Sequence, residues 1–132
     1  MEAFPLRVTP DMDLRGALER AVATRSCGAA FVLSGIGSLR QARLRLAGAT
    51  EPDALHGDLE ILTLAGTLAR NGAHLHMSVA DAEGRVLGGH VAYGCTVRTT
   101  AEILLLLLPE WSFTRELDTS TGFAELVVRP ER

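Results

Sequence analysis

The sequence predicts an α+β domain: a mostly antiparallel β-sheet of about seven or eight strands with one long covering α-helix. Three observations carry this expectation. Short segments that alternate apolar and polar residues recur along the chain, the period of half-buried strands. A single segment, Met12 to Thr24, shows the 3.6-residue period of an amphipathic helix. Turn signals stand between the alternating segments at hairpin spacing, as at Asn71-Gly72, Asp81 to Arg85 and Asp118 to Gly122. With 132 residues, 47% of them hydrophobic and 22% charged, the chain reads as one domain over residues 1–132 with a core of its own.

Taken in order, Leu6-Arg7-Val8 opens as a short strand ended by Pro10. Asp11 and Asp13 can cap the helix, and Leu14, Ala17, Leu18, Ala21 and Val22 follow as one apolar stripe that would cover a sheet face. Gly28 to Leu33 is a short apolar run of buried-strand type. Ser34-Gly35-Ile36-Gly37-Ser38 then reads as a glycine-rich connection between strands. It lacks the third glycine of a dinucleotide fingerprint, and no helical pattern follows it. Gln41 to Leu46 alternates, with Arg43 and Arg45 on the solvated side. Ala47 to His56 reads as a loop ending in a surface histidine.

Glu60 to Leu64 reads as a central strand, apolar on both faces except at Glu60 and Thr63. Val91 to Glu102 alternates through Val91, Tyr93, Cys95 and Val97. The leucine-rich run Ala101 to Leu108 fits either a strand or a short helix. Trp111 to Leu117 alternates again, and Phe123 to Val128 is the last strand.

Three of the four histidines lie between Gly57 and Gly94. From His74 onward the residues alternate strictly, so that His74, His76 and Ser78 share one side and Leu75, Met77 and Val79 the other. Folding the following hairpin about Glu83 sets His76 directly opposite His90, with His74 as a diagonal neighbour. Opposite residues share a face with Cβ atoms about 4.5–5.5 Å apart, close enough for three imidazoles to converge on one ion. The geometry depends on register: a one-residue slip, or a bulge at Gly88-Gly89, would turn His90 to the other face. Without convergence, the same histidines would be a polar surface, or one buried imidazole with hydrogen-bonded partners.

Ser34-Gly35-Ile36-Gly37-Ser38-Leu39, the run Gly57 to Gly66, His74-Leu75-His76 with Ser78, Gly88-Gly89-His90 and Thr99-Thr100-Ala101-Glu102-Ile103 resemble, in order and spacing, the motifs of the PPC domain. That family, also called the domain of unknown function 296, occurs alone in bacteria and archaea and fused to AT-hook DNA-binding motifs in plants. The resemblance runs from Arg7 to Val128, and it implies that the leucine-rich run is strand. It also implies a self-associating module, typically a homotrimer, that offers a platform to protein partners. The positions matching the plant partner-contact motif are Gly57, Asp58, Leu59, Glu60, Ile61 and Leu62. This chain carries Asp58-Leu59 where the plant motif has Arg-Phe, which reverses a charge. Prokaryotic relatives are often labelled DNA-binding proteins.

Hairpin geometry and resemblance together favour a metal on His74, His76 and His90. Three neutral nitrogens without a thiolate suit zinc, with nickel or copper as other divalent choices. The expected function is an oligomeric interaction or ligand-binding module that holds a zinc-like ion. The alternative is a hydrolase-like enzyme using a metal-bound water, for which Glu60 and Glu102 are the available carboxylates.

Composition narrows the field further. The chain has no lysine, which excludes a Schiff base, a lysine nucleophile and a Walker-type phosphate loop. A formal net charge of −3, 5% aromatic residues and the lack of an Arg-Gly-Arg-Pro hook argue against direct DNA binding. Cys27 and Cys95 read as reduced thiols of a cytoplasmic protein. The first residues have neither the basic start nor the apolar core of a signal peptide. Leu104 to Leu108 is far shorter than the about 20 residues that span a bilayer, so no membrane association is expected.

Overall fold

The computed structural model describes residues 1–132. Its elements run β1 (Glu2–Val8), α1 (Leu14–Ala23), β2 (Ala29–Arg45), β3 (Asp53–Ala69), β4 (Gly72–Ala80), β5 (Val86–Val91), β6 (Thr96–Leu107), β7 (Trp111–Asp118) and β8 (Phe123–Pro130). This is the expected α+β architecture: eight strands, every pairing antiparallel, and a single helix. Six strands form one sheet in the order β1-β6-β2-β3-β4-β5, and β7 pairs with β8 in a separate hairpin. No helix is long and apolar enough to cross a membrane.

Strand β5 pairs with β4 on one side and, through Leu44↔Val91 and Arg45↔His90, with the far end of β2 on the other. The sheet therefore curls until β2, β3, β4 and β5 close on themselves. Its concave side holds the core, where Leu39, Leu44, Leu64, Leu68, Leu75, Val79 and Leu105 are almost fully buried. Helix α1 covers that side with Leu14, Ala17, Leu18 and Val22, as its periodicity predicts. It spans ten residues rather than the longer stretch expected. Asp13 caps it: one carboxylate oxygen accepts from the Gly16 N–H at 2.8 Å, the other from the Gly94 N–H at 2.6 Å. The same side chain thus starts the helix and ties it to the turn after β5.

Three expectations are corrected. Ser34 to Ser38 is not a connection between strands but the middle of β2, which runs unbroken from Ala29 to Arg45. The glycines there answer to neighbours: a Cβ on Gly35 would meet Leu64 and Ile103 side chains at 2.9–3.1 Å, and one on Gly37 would meet the Thr100 carbonyl oxygen at 2.4 Å. They let β3 and β6 approach β2 closely, and register shifts on either side absorb the twist. His56 belongs to β3, paired with Gln41, so the preceding loop is shorter than expected. Tyr93 lies in the turn between β5 and β6 rather than in a strand, and its hydroxyl donates to Glu19 at 2.6 Å. The leucine-rich run is strand β6.

The opposite side of the sheet is uncovered over much of its area. One row of directly paired residues crosses it as His74, Thr67, Phe31, Leu106 and Ala3. The β7–β8 hairpin docks on part of this side. Phe113 is 2% exposed and meets Phe31 edge to face at 5.7 Å between ring centroids. Asn71 clasps the backbone of Arg115 through both amide atoms, at 2.9 and 2.7 Å.

Candidate metal centre

Each histidine reaches the cluster through a local rule. In β4 the alternation buries Leu75, Met77 and Val79, which aims His74 and His76 away from the core. The turn into β5 is closed by Asp81, whose carboxylate accepts from the backbone N–H of Glu83 and Arg85 at 3.0 and 2.9 Å. Those bonds hold the Asp81 carboxyl below its ordinary range, the Arg85 N–H most of all. Gly84 supplies the positive φ, +80°, at the tip. The pairing that follows is regular: Ala80↔Val86, Val79↔Leu87, Ser78↔Gly88, Met77↔Gly89 and His76↔His90. No bulge falls at Gly88-Gly89, so His90 joins His76 on the same face.

The three rings converge. Their centroids lie 4.8 Å (His74–His76), 4.6 Å (His76–His90) and 5.3 Å (His74–His90) apart. One ligating nitrogen from each falls within 4.8 Å of the others. The Nε2 atoms of His74 and His76 are 3.2 Å apart. Two nitrogens on one tetrahedral zinc, at 2.0–2.1 Å each, would stand about 3.3 Å apart. That pair is already at metal-binding separation. The donor set therefore suits a metal ion.

The surroundings favour the neutral form of two of the rings, the form that binds metal. Burial lowers the pKa of His74, helped by the positive charge of Arg115 and by the other two imidazoles, while Glu125 opposes the shift. Burial also lowers that of His90, with Arg45 next and then His76. A cleft of about 190 Å³ opens beside His74 and His90, walled by Arg15, Arg45, Pro52, Ala73, Leu75, Val91 and Ala92. Neither Glu60 nor Glu102 lines it. Glu60 pairs with Ala80 beyond the far end of the histidine run, and Glu102 pairs with Arg7 across β6 and β1.

Residues 1–109 match the model of the Plants and Prokaryotes Conserved (PCC) domain. The chain belongs to that family. The bifunctional protein GlmU of Synechococcus sp. (strain JA-2-3B'a(2-13)) is 48% identical over 130 residues, which is 98% of this chain and 21% of that protein. The chain thus spans about a fifth of this curated relative. A hypothetical protein from Salmonella cholerae-suis superposes with a TM-score of 0.96 at 36% identity, over 99% of this chain and 95% of that one. A metal-containing protein from Archaeoglobus fulgidus superposes with a TM-score of 0.84 at 25% identity, over 96% of this chain and 94% of the other.

The positions matching the plant partner-contact motif divide between inside and outside. Leu59 and Ile61 are buried at 2% and 3% exposure, as core residues of β3. Asp58, Glu60 and Leu62 face solvent, and Asp58 pairs with Arg98 at 3.2 Å. Sequence reasoning passed over two residues beside the histidines. Arg45 read only as one of a solvated pair, yet it stands opposite His90. Arg115 reaches the histidine side from the hairpin, donating to Thr67 Oγ1 at 2.9 Å, and Thr67 is the cross-strand partner of His74. Both contacts come from pairings distant in the chain, for which period-two alternation carries no signal.

Proposed function

We propose that this PCC domain holds a zinc-like divalent ion on His74, His76 and His90 and works as an oligomeric ligand-binding module. The observation that carries the reading is the convergence of three ligating nitrogens within 4.8 Å on a register-locked hairpin. The archaeal relative described as metal-containing supports it. Three protein ligands leave one position open, which suits a bound molecule. A hydrolytic role has less support: no carboxylate lines the cleft beside the histidines.

Self-association, as a homotrimer, is the second part of the proposal. It is supported by apolar side chains left uncovered on β2 and β3 and on the hairpin, with Leu33 at 54%, Ile36 at 53%, Leu62 at 45%, Leu117 at 71% and Phe123 at 70% exposure. Asp58 and Glu60 remain available to a further protein partner. Direct DNA binding has little support, given a formal charge of −3.

Elemental analysis of the purified protein tests the metal. The expected result is about one equivalent of a divalent transition metal per chain, lost in His76→Ala. Equal metal content in the two proteins would refute the site. Light scattering tests the assembly: the expected mass is three times that of the 14.1 kDa chain.

A further inference from the structure

The charge around the three histidines is one-sided. Neutral imidazoles leave a divalent ion its full charge. Arg45 lies directly across from His90, and Arg115 is held on Thr67 across from His74. The cleft wall contains no acid, and Glu125 is the one carboxylate whose charge reaches His74.

The two arginines that wall the cleft are not equivalent. Arg15 is fully engaged: its Nε donates to Glu19 at 3.0 Å, its two terminal nitrogens donate to the Val91 and Ala73 carbonyls at 3.1 Å each, and its guanidinium stacks on Tyr93. It is part of the cleft's frame. Arg45 makes one hydrogen bond, from Nη1 to the Ala49 carbonyl at 3.1 Å, and pairs with no carboxylate. A guanidinium has five N–H donors, so most of this fork stays free beside the histidines.

We propose that the cleft is a small-anion site in which Arg45 binds the carboxylate of a small organic acid next to the metal. The inference rests on the metal reading above. A carboxylate suits both neighbours, because it ligates hard or borderline cations and accepts paired hydrogen bonds from a guanidinium fork. Size points the same way. A cleft of about 190 Å³ falls below the ~300–1,000 Å³ typical of drug-sized ligands and admits a molecule of only a few heavy atoms. The anion neutralises a cationic centre against which the protein sets only the charge of Glu125.

The test uses the full chain, stripped with chelator, reloaded with zinc and titrated calorimetrically with malonate, with zinc content measured alongside. Wild type is expected to bind malonate saturably at one site per chain. Arg45→Gln is expected to keep its zinc and weaken malonate about 10- to 100-fold, the range for a lost charge-assisted hydrogen-bond pair. Zinc-loaded wild type that fails to bind malonate at millimolar concentration overturns the anion site and leaves the metal standing. So does equal malonate affinity in Arg45→Gln. Wild type that takes up no zinc overturns the metal reading, and the anion site with it. A wild-type titration that shows no saturable binding overturns the site even if the variant misfolds.

Discussion

His76 is the ring on which the cluster depends. It is the cross-strand partner of His90, and its Nε2 lies 3.2 Å from that of His74. His76→Ala leaves two imidazoles that are not cross-strand partners, so zinc affinity should fall steeply. The consequence for stability can be worked out. A ligand at a free concentration of 100 times its Kd stabilises the folded state by about 2.7 kcal/mol. Unfolding entropy near 2.1 cal/mol/K per residue gives this 132-residue chain about 0.28 kcal/mol/K, so zinc should raise its Tm by roughly 10 °C. His76 is exposed, and a surface substitution there should shift metal-free stability by no more than about 0.5 kcal/mol. Thermal unfolding by circular dichroism, with chelator and with excess zinc, separates the two effects. Wild type should show the shift, and His76→Ala should melt close to wild type in chelator with little response to zinc. A variant that gains as many degrees from zinc as wild type would refute the convergence argument.

Further predictions follow from the same contacts. Gly66→Ala should destabilise the fold by about 1–3 kcal/mol or more in urea unfolding, because Gly66 sits at φ +146° and a Cβ there would lie 2.1 Å from the His74 carbonyl oxygen. The same clash should displace β4 and weaken metal uptake. Asp13→Ala should cost about 1–2 kcal/mol, since the carboxylate caps α1 and also accepts from the Gly94 N–H. His74 and His90 have folded-state pKa values below the ordinary 6.5, chiefly through burial. The unfolded chain therefore binds more protons in mild acid, and the stability of the metal-free protein should be full above pH 6.5 and decline as the pH falls below it. Denaturant titrations at neutral and mildly acidic pH should show that decline, and a His74→Gln, His90→Gln variant should show less of it. Ile36→Asp should shift the light-scattering mass from trimer to monomer while leaving zinc content unchanged, because Ile36 is exposed on the uncovered side, away from the histidines.

The histidine hairpin was legible in the sequence because everything that sets it is local. Alternation from His74 to Ala80 chooses the face, and the Asp81–Arg85 turn sets the register that brings His90 across from His76. Helix α1 was legible for the same reason, since its stripe and its Asp13 cap are written in adjacent residues. Its length was overestimated because end residues that fit the period need not be helical.

Tertiary structure alone decided the rest. Gly35 and Gly37 look like turn residues in the chain, and only the presence of Leu64, Ile103 and Thr100 alongside shows that they make room inside a continuous strand. Arg45 and His90 are forty-five positions apart, and they meet because the curled sheet returns β5 to the end of β2. Arg115 reaches the histidine side only because Phe113 and Asn71 dock the hairpin there. Periodicity determines which way a side chain points relative to its own strand. Which strand lies next to it depends on how the whole core is best buried, and that is a property of the assembled sheet rather than of any segment.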